Sequence, residues 1–269
     1  MLRNAVLALS LLCLAGWCAM TFGCGSSSKT TTGCTGGPYN VVGDWTITVT
    51  GGGNSLSGPG VIGSAGTALF FQTTNTAPAP GDTVVMPSIT GACSFSGTAT
   101  AYATSASGGG SVTDTVQGSV NSATSINGTI SNGSTFSVVA NSPLTGSVAS
   151  FSGTRHGNVG GWIGPGNLWT LTFTPVGSNA SMSFTGVDVD ACSVAGTFTQ
   201  EGGNVSNLNV FDVSITYTGS ICPATGTITG LGFESSSDYF GVTGGATGTY
   251  FYAISSSGAA VFEIFPAGL

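Results

Sequence analysis

The chain has 269 residues, of which 5% are charged, with three Lys or Arg against ten Asp or Glu and a formal net charge of −7. Ordinary soluble domains carry about 25% charged residues, so solubility here must rest on Ser, Thr, Asn and backbone amides. Three cations cannot replace the counterions of a phosphate backbone, which excludes nucleic acid as a partner. The same shortage excludes an anionic membrane surface as an electrostatic partner.

Met1-Leu2-Arg3-Asn4 is followed by an apolar run from Ala5 to Gly23. A short positive start before an apolar stretch is the pattern of a secretory signal. The run of 19 residues is also long enough for an uncleaved anchor. Thr21-Phe22-Gly23-Cys24 sits where a bacterial lipoprotein carries its lipobox. Gly23 and Cys24 fit that pattern, while Thr21 stands in place of the usual Leu and Phe22 in place of a small residue. The expectation is a signal peptide over 1–23 and a lipid on Cys24. A flexible tether over 24–37, carrying GSSSKTTTG (25–33), would hold the rest of the chain about 20 Å from the membrane. Cleavage at another small residue and a retained helix are the alternatives. All three versions export the bulk of the chain to the cell envelope, with the outer membrane or cell surface as the expected destination.

Beyond the tether, Gly, Ser and Thr are abundant and the best helix formers are scarce, while 41% of the chain is apolar. That composition favours strands with tight turns over helices, and it supplies enough apolar surface for a core. Alternation of period two recurs in DWTITVT (44–50), FSGTATAY (95–102), WTLTFT (169–174) and NVFDVSITYT (209–218). Each such run predicts a strand with one wet face. GGGNSLSG (51–58), TAPAPGD (76–82), SASGGGS (105–111), SNGS (131–134) and TGGATG (243–248) read as the turns between them. The fold class is therefore all-β, about 14–16 antiparallel strands in barrel- or sandwich-like modules.

Two related halves are suggested by internal echoes. GACSFSGTAT (91–100) resembles DACSVAGTFT (190–199), and NGTISNGSTF (127–136) resembles TGTITGLGFE (225–234), at offsets of 99 and 98 residues. DWTITVT resembles LWTLTFT at an offset of 124, which places an insertion near residues 51–85 of the first copy. GNVGGWIGPGN (157–167) lies between the copies, giving modules over 38–156 and 157–269. Chance similarity among Gly/Thr-rich strands is the competing explanation.

Candidate sites are sparse. Trp45 in VVGDWT opens a strand as in lipocalin-like and avidin-like barrels, which it resembles over those residues. A closed barrel of that kind holds one small ligand, although a Trp starting a first strand is also ordinary core. Cys34, Cys93, Cys192 and Cys222 read as two disulfides in an exported chain. Cys192 and Cys222 flank one strand, so they pair, which leaves Cys34 with Cys93; closing the Cys192–Cys222 loop adds about 3–4 kcal/mol. No cysteines sit at CxxC spacing and His156 is the only histidine, so no metal site and no cofactor is expected. Arg155-His156 reads as a solvated loop, because a catalytic His needs an orienting partner and none is signalled. Asp188 and Asp190 fall on one face of a strand and would serve a Ca²⁺ ion with Asn204, a glycosidase pair, or a wet edge that blocks aggregation. Tyr250 and Tyr252 share a strand face, either stacking on sugar rings or covering a neighbouring sheet.

CSVAGTFTQ, LNVFDVSITYTGSIC, GTITGLGF and the terminal AAVFEIF resemble a group of small Gly/Ser/Thr-rich bacterial lipoproteins over about residues 180–269. The resemblance implies an exported, membrane-anchored β-protein and implies no activity or site residues. Together these readings predict a lipid-anchored envelope protein with a structural, adhesive or binding role and no catalysis, its partners being the membrane through the lipid, glycans or envelope proteins. A small-ligand or glycan-binding β-module is the first alternative. A glycosidase using Asp188 and Asp190 is the second.

Overall fold

The computed structural model describes residues 37–51, 54–73, 82–103, 110–141, 152–161, 168–177, 181–187, 192–201, 209–219, 226–240, 247–258 and 260–266. These hold sixteen strands in two closed eight-stranded barrels. The first barrel comprises β1 (Gly43–Gly51), β2 (Asn54–Ile62), β3 (Ala68–Phe71), β4 (Thr83–Met86), β5 (Ser94–Tyr102), β6 (Ser111–Ser122), β7 (Ser125–Ile130) and β8 (Thr135–Ala140). The second comprises β9 (Gly153–Gly161), β10 (Leu168–Val176), β11 (Ser181–Val187), β12 (Ser193–Gln200), β13 (Phe211–Thr218), β14 (Gly226–Ser235), β15 (Tyr250–Ser255) and β16 (Ala260–Ile264). Every pairing is antiparallel between neighbours in sequence, except the closing pairs β1–β8 and β9–β16.

Alternation decides which side chains enter each lumen. In β1, Trp45, Ile47 and Val49 join the interior cluster, while Thr48 on the outer face lies 3.3 Å from the Ser57 hydroxyl. Closure matches interior to interior: Trp45 faces Ala140, Ile47 faces Val138 and Val49 faces Phe136. A slip of one residue would turn the β1 threonines inward, so the pattern fixes the register.

Both lumens are filled by side chains. In the second barrel Phe173, Phe184 and Phe198 pack with ring centroids 4.9–5.8 Å apart. Phe198 reaches across the lumen to Phe251, on a non-neighbouring strand, at 4.3 Å. Glycine makes room for these rings. Gly196 stands opposite Phe184, and a Cβ there would lie 2.5 Å from the ring. Gly128 and Phe136 repeat the arrangement in the first barrel. The high glycine content is thus partly a packing device, each ring covering a strand position that lacks a side chain.

Two expectations about the halves change in detail. β9 already belongs to the second barrel, so the chain enters that barrel by Gly153, ahead of residue 157. Residues 51–85 hold β2, β3 and the start of β4, where the second barrel has β11 alone between its corresponding strands β10 and β12. The second barrel reaches eight strands through β9 and a longer C-terminal run.

The barrels join through strand faces. All four residues of β3 and all six of β15 are buried. Ala68 and Phe70 point into the first lumen, while Leu69 and Phe71 point out into a third apolar cluster with Val61, Leu231, Phe233, Tyr250, Tyr252 and Ile254. The Phe71 ring centroid lies 5.3 Å from Phe240 and 5.6 Å from Tyr252. Polar contacts surround the patch. The Ser64 amide donates to Glu201 Oε2 at 2.6 Å, the Thr83 hydroxyl donates to the Gly258 carbonyl, and the Asn209 side chain hydrogen-bonds Asp44.

This packing sets a test. Phe71 is 1% exposed, so Phe71→Ala should cost about 3–5 kcal/mol, the range for emptying a buried ring site. Val139, 53% exposed on the free face of β8, should cost less than about 0.5 kcal/mol when changed to Ala. Urea unfolding of both variants measures the contrast, and equal losses would show that the outer face of β3 is not covered.

Candidate functional site

The residues singled out from the sequence are dispersed. Trp45 is core: its ring is buried at the mouth of the first barrel and its Nε1 donates to the Val41 carbonyl at 2.9 Å. Tyr250 and Tyr252 are fully buried between the barrels, so they offer no exposed face for a sugar. The reading in which they cover a neighbouring sheet is the one observed. Arg155 and His156 lie within β9 rather than in a loop; Arg155 is buried, and His156 Nδ1 lies 3.4 Å from the Thr170 hydroxyl across the strand pair. Asp188, Asp190, Cys24, Cys34 and Cys222 fall outside the described residues. Cys93 and Cys192 stand just ahead of β5 and β12, the same place in the two echoed segments.

The second lumen leaves little space. The void in the second barrel measures about 20 Å³, lined by Trp169, Leu171, Phe184, Phe198 and Tyr217 among others. That is room for about one water, well short of the ~300 Å³ at which small-ligand sites begin. The barrel-ligand expectation attached to Trp45 concerns the first barrel, where Trp45, Ile47, Phe70, Val116 and Phe136 belong to one buried apolar cluster.

The larger space lies outside the lumens, where the first barrel's 63–67 turn meets the outer face of β12–β14. This cleft measures about 370 Å³ and is lined by Gly63, Ala65 and Thr67 on one side. Its floor is set by strand register: Thr197 faces Ser214 and Ser214 faces Thr229, while in the next row Thr199 faces Asp212 and Asp212 faces Leu231. Glu201 and Ser256 complete the lining. Glu201 is buried, and its backbone amide donates to the Val210 carbonyl at 2.9 Å, which carries the strand pairing past β12. Burial pushes the Glu201 carboxyl above the usual range; the negative charge of Asp212 adds to this, while the Ser64 amide pulls the other way. Burial also raises Asp212. None of this was visible as a motif, because the cleft draws on five separate segments; the weak signal was that Glu201 and Asp212 are two of only ten acidic residues.

A second polar group lies within the joint itself. The Tyr252 hydroxyl lies 2.6 Å from Glu263 Oε1, 2.7 Å from the Ser237 carbonyl and 2.9 Å from the Tyr239 amide. The amide can only donate, so the phenolic oxygen accepts from it, and the one phenolic proton is shared between two acceptors, the Ser237 carbonyl and Oε1 of Glu263. Burial is the main reason the Glu263 pKa rises to about 8, with the nearby Asp238 charge adding to it and the Tyr252 hydrogen bond opposing it. A buried acid kept neutral by its surroundings avoids the large cost of an unpaired charge.

The consequence is a pH dependence with a definite sign. Glu263 binds its proton more tightly folded than unfolded, so its contribution is complete below the ordinary carboxyl value of 4.5. It is lost as pH rises to about 8 and is constant above that. At about 1.4 kcal/mol per pKa unit the loss amounts to roughly a few kcal/mol. Glu263→Gln keeps a neutral acceptor facing the Tyr252 hydroxyl and should flatten that part of the profile. Urea unfolding at pH values below, between and above the two pKa values reads the slope; an unchanged slope in the variant would show that Glu263 is not its source.

No family description, curated protein or solved structure matches the chain, so the reading of the cleft and the joint stands on their own residues.

Proposed function

We propose that the protein is a lipid-anchored component of the cell envelope, exported through its N-terminal segment and held by Cys24, with a structural, adhesive or binding role and no catalysis. The observation that carries this reading is the filling of both lumens by aromatic and aliphatic side chains. A filled barrel meets the world only through its outer surface, which suits a module presented on a tether rather than an internal carrier. The glycan-binding alternative is favoured by one specific feature, the hydroxyl-lined cleft between the barrels.

Two disulfides, Cys192–Cys222 and Cys34–Cys93, belong to the same proposal. Support comes from the matching places of Cys93 and Cys192, just ahead of β5 and β12 in the two echoed segments. Disulfides persist in oxidising compartments, which accords with export. The second would tie the start of the first barrel to the end of the tether.

Intact mass spectrometry of protein extracted from its native membrane should give a mass beginning at Cys24 plus acyl chains. Cys24→Ala should move the protein from the membrane fraction to the soluble one. An unlipidated parent, or a variant that stays with the membrane, would overturn the anchoring step.

A further inference from the structure

We infer that the cleft between the barrels is a binding site for a neutral polyhydroxylated ligand, a sugar unit of a glycan. The inference deepens the binding reading above and rests on it. Its volume of about 370 Å³ falls within the ~300–1,000 Å³ typical of small-molecule sites.

The hydroxyls of the lining are available to a ligand. Some exterior hydroxyls facing one another across strands bond to one another, Thr216 with Thr227 at 2.8 Å, Thr100 with Thr113 at 3.2 Å and Thr48 with Ser57 at 3.3 Å, while others in register, such as Thr98 with Thr115, do not. In the cleft, Thr197, Ser214 and Thr229 form a cross-strand row in register but make no such bond among the described residues. Only Thr199 is engaged, accepting from the Ser181 hydroxyl at 3.1 Å. Hydroxyls at the ~4.8 Å strand spacing form a grid comparable to the distance across a sugar ring. Each hydroxyl both donates and accepts, as sugar hydroxyls do, and the Asp212 carboxylate beside the row accepts strongly.

Other ligand classes fit less well. The charged lining residues are Glu201 and Asp212, both acidic, which repels anions. A Ca²⁺ ion needs six to eight oxygens, and one of the two carboxylates is already taken by the Ser64 amide. No group of three His, Cys, Asp or Glu side chains comes together among the described residues. An apolar ligand would leave the threonine and serine hydroxyls without partners. None of the lining residues is aromatic, so a single sugar should bind in the millimolar range, and display of many copies on a membrane would supply avidity.

The test uses the full chain in a non-glycosidic detergent, with glucose, galactose, N-acetylglucosamine and maltose as probes, read by saturation-transfer difference NMR. At least one of the four sugars should show saturation transfer. Asp212→Ala should weaken that sugar by at least about tenfold, the scale of one charge-assisted hydrogen bond. Thr197→Trp, placed on the outer strand face where it touches neither lumen, should block the cleft and abolish the signal. Near-UV circular dichroism identifies the variants that remain folded, and either one suffices. No transfer from any of the four sugars to the parent overturns the inference. Transfer that survives undiminished in a folded Thr197→Trp or Asp212→Ala variant overturns it as well. The titration does not depend on the lipid, so its failure is distinct from failure of the Cys24 assignment.

Discussion

Two closed barrels have no free strand edge to offer each other, so the union of the halves falls entirely on strand faces. A barrel strand has two faces, and one is already spent on its own lumen. Strands at the joint must therefore be apolar on both sides, and β3 and β15 are. Phe71, Phe233 and Tyr252 are held there in mutual contact. Each such side chain contributes roughly 1.5–3 kcal/mol on burial, which makes the patch a large share of what binds the halves. Polar contacts such as Ser64 with Glu201 then fix rotation and register around the apolar centre.

Alternation made most of the barrel walls legible. β1, β10 and β13 read from the sequence as strands with one wet face, and their apolar positions line the lumens. The joint left a different trace, unbroken apolar runs in ALFF (68–71) and YFYAI (250–254), the pattern of strands buried on both faces. Taken by period alone, Tyr250 and Tyr252 had a free face; the surface that covers them comes from β3, far away in sequence. The cleft was not legible for the same reason. It needs a turn from one barrel and three strands of the other, and no local pattern announces that meeting. The internal echoes mark strands of similar build, but they do not mark equal position: the segment of the first copy that the second lacks contains β2 and β3, which carry the first barrel's side of the joint.

The scarcity of charge shapes the rest. Few cations are available to pair with buried carboxylates, and the molecule instead raises their pKa values and surrounds them with neutral donors. Asp44 is raised by burial and moderated by the Asn141 and Asn209 side chains. Asn209 does more than that, because its amide also exchanges two 2.7 Å hydrogen bonds with the backbone of Glu234. One side chain thereby completes the edge of β14 and reaches the other barrel. Glu263 goes furthest, giving up its charge and bonding to a tyrosine instead. Such contacts need no counter-ion and are insensitive to salt, unlike exposed ion pairs, which are screened within about 8–10 Å.

Joining convex barrels by their faces has a geometric result. Two cylinders touch along a strip and diverge on either side of it, so grooves beside the contact are unavoidable. What the chain controls is their lining. On the β12–β14 side it places Thr, Ser and a carboxylate, with glycine at residue 63, where a Cβ would lie 2.8 Å from Glu201 and 2.9 Å from Leu231. An apolar lining there would have extended the joint and closed the groove. A heavily charged one would have needed more cations than the three this chain has. Hydroxyls keep the groove open and wet with only Glu201 and Asp212 as ionisable groups, and in a rigid frame they hold fixed positions, which is the preorganisation that weak polar recognition depends on.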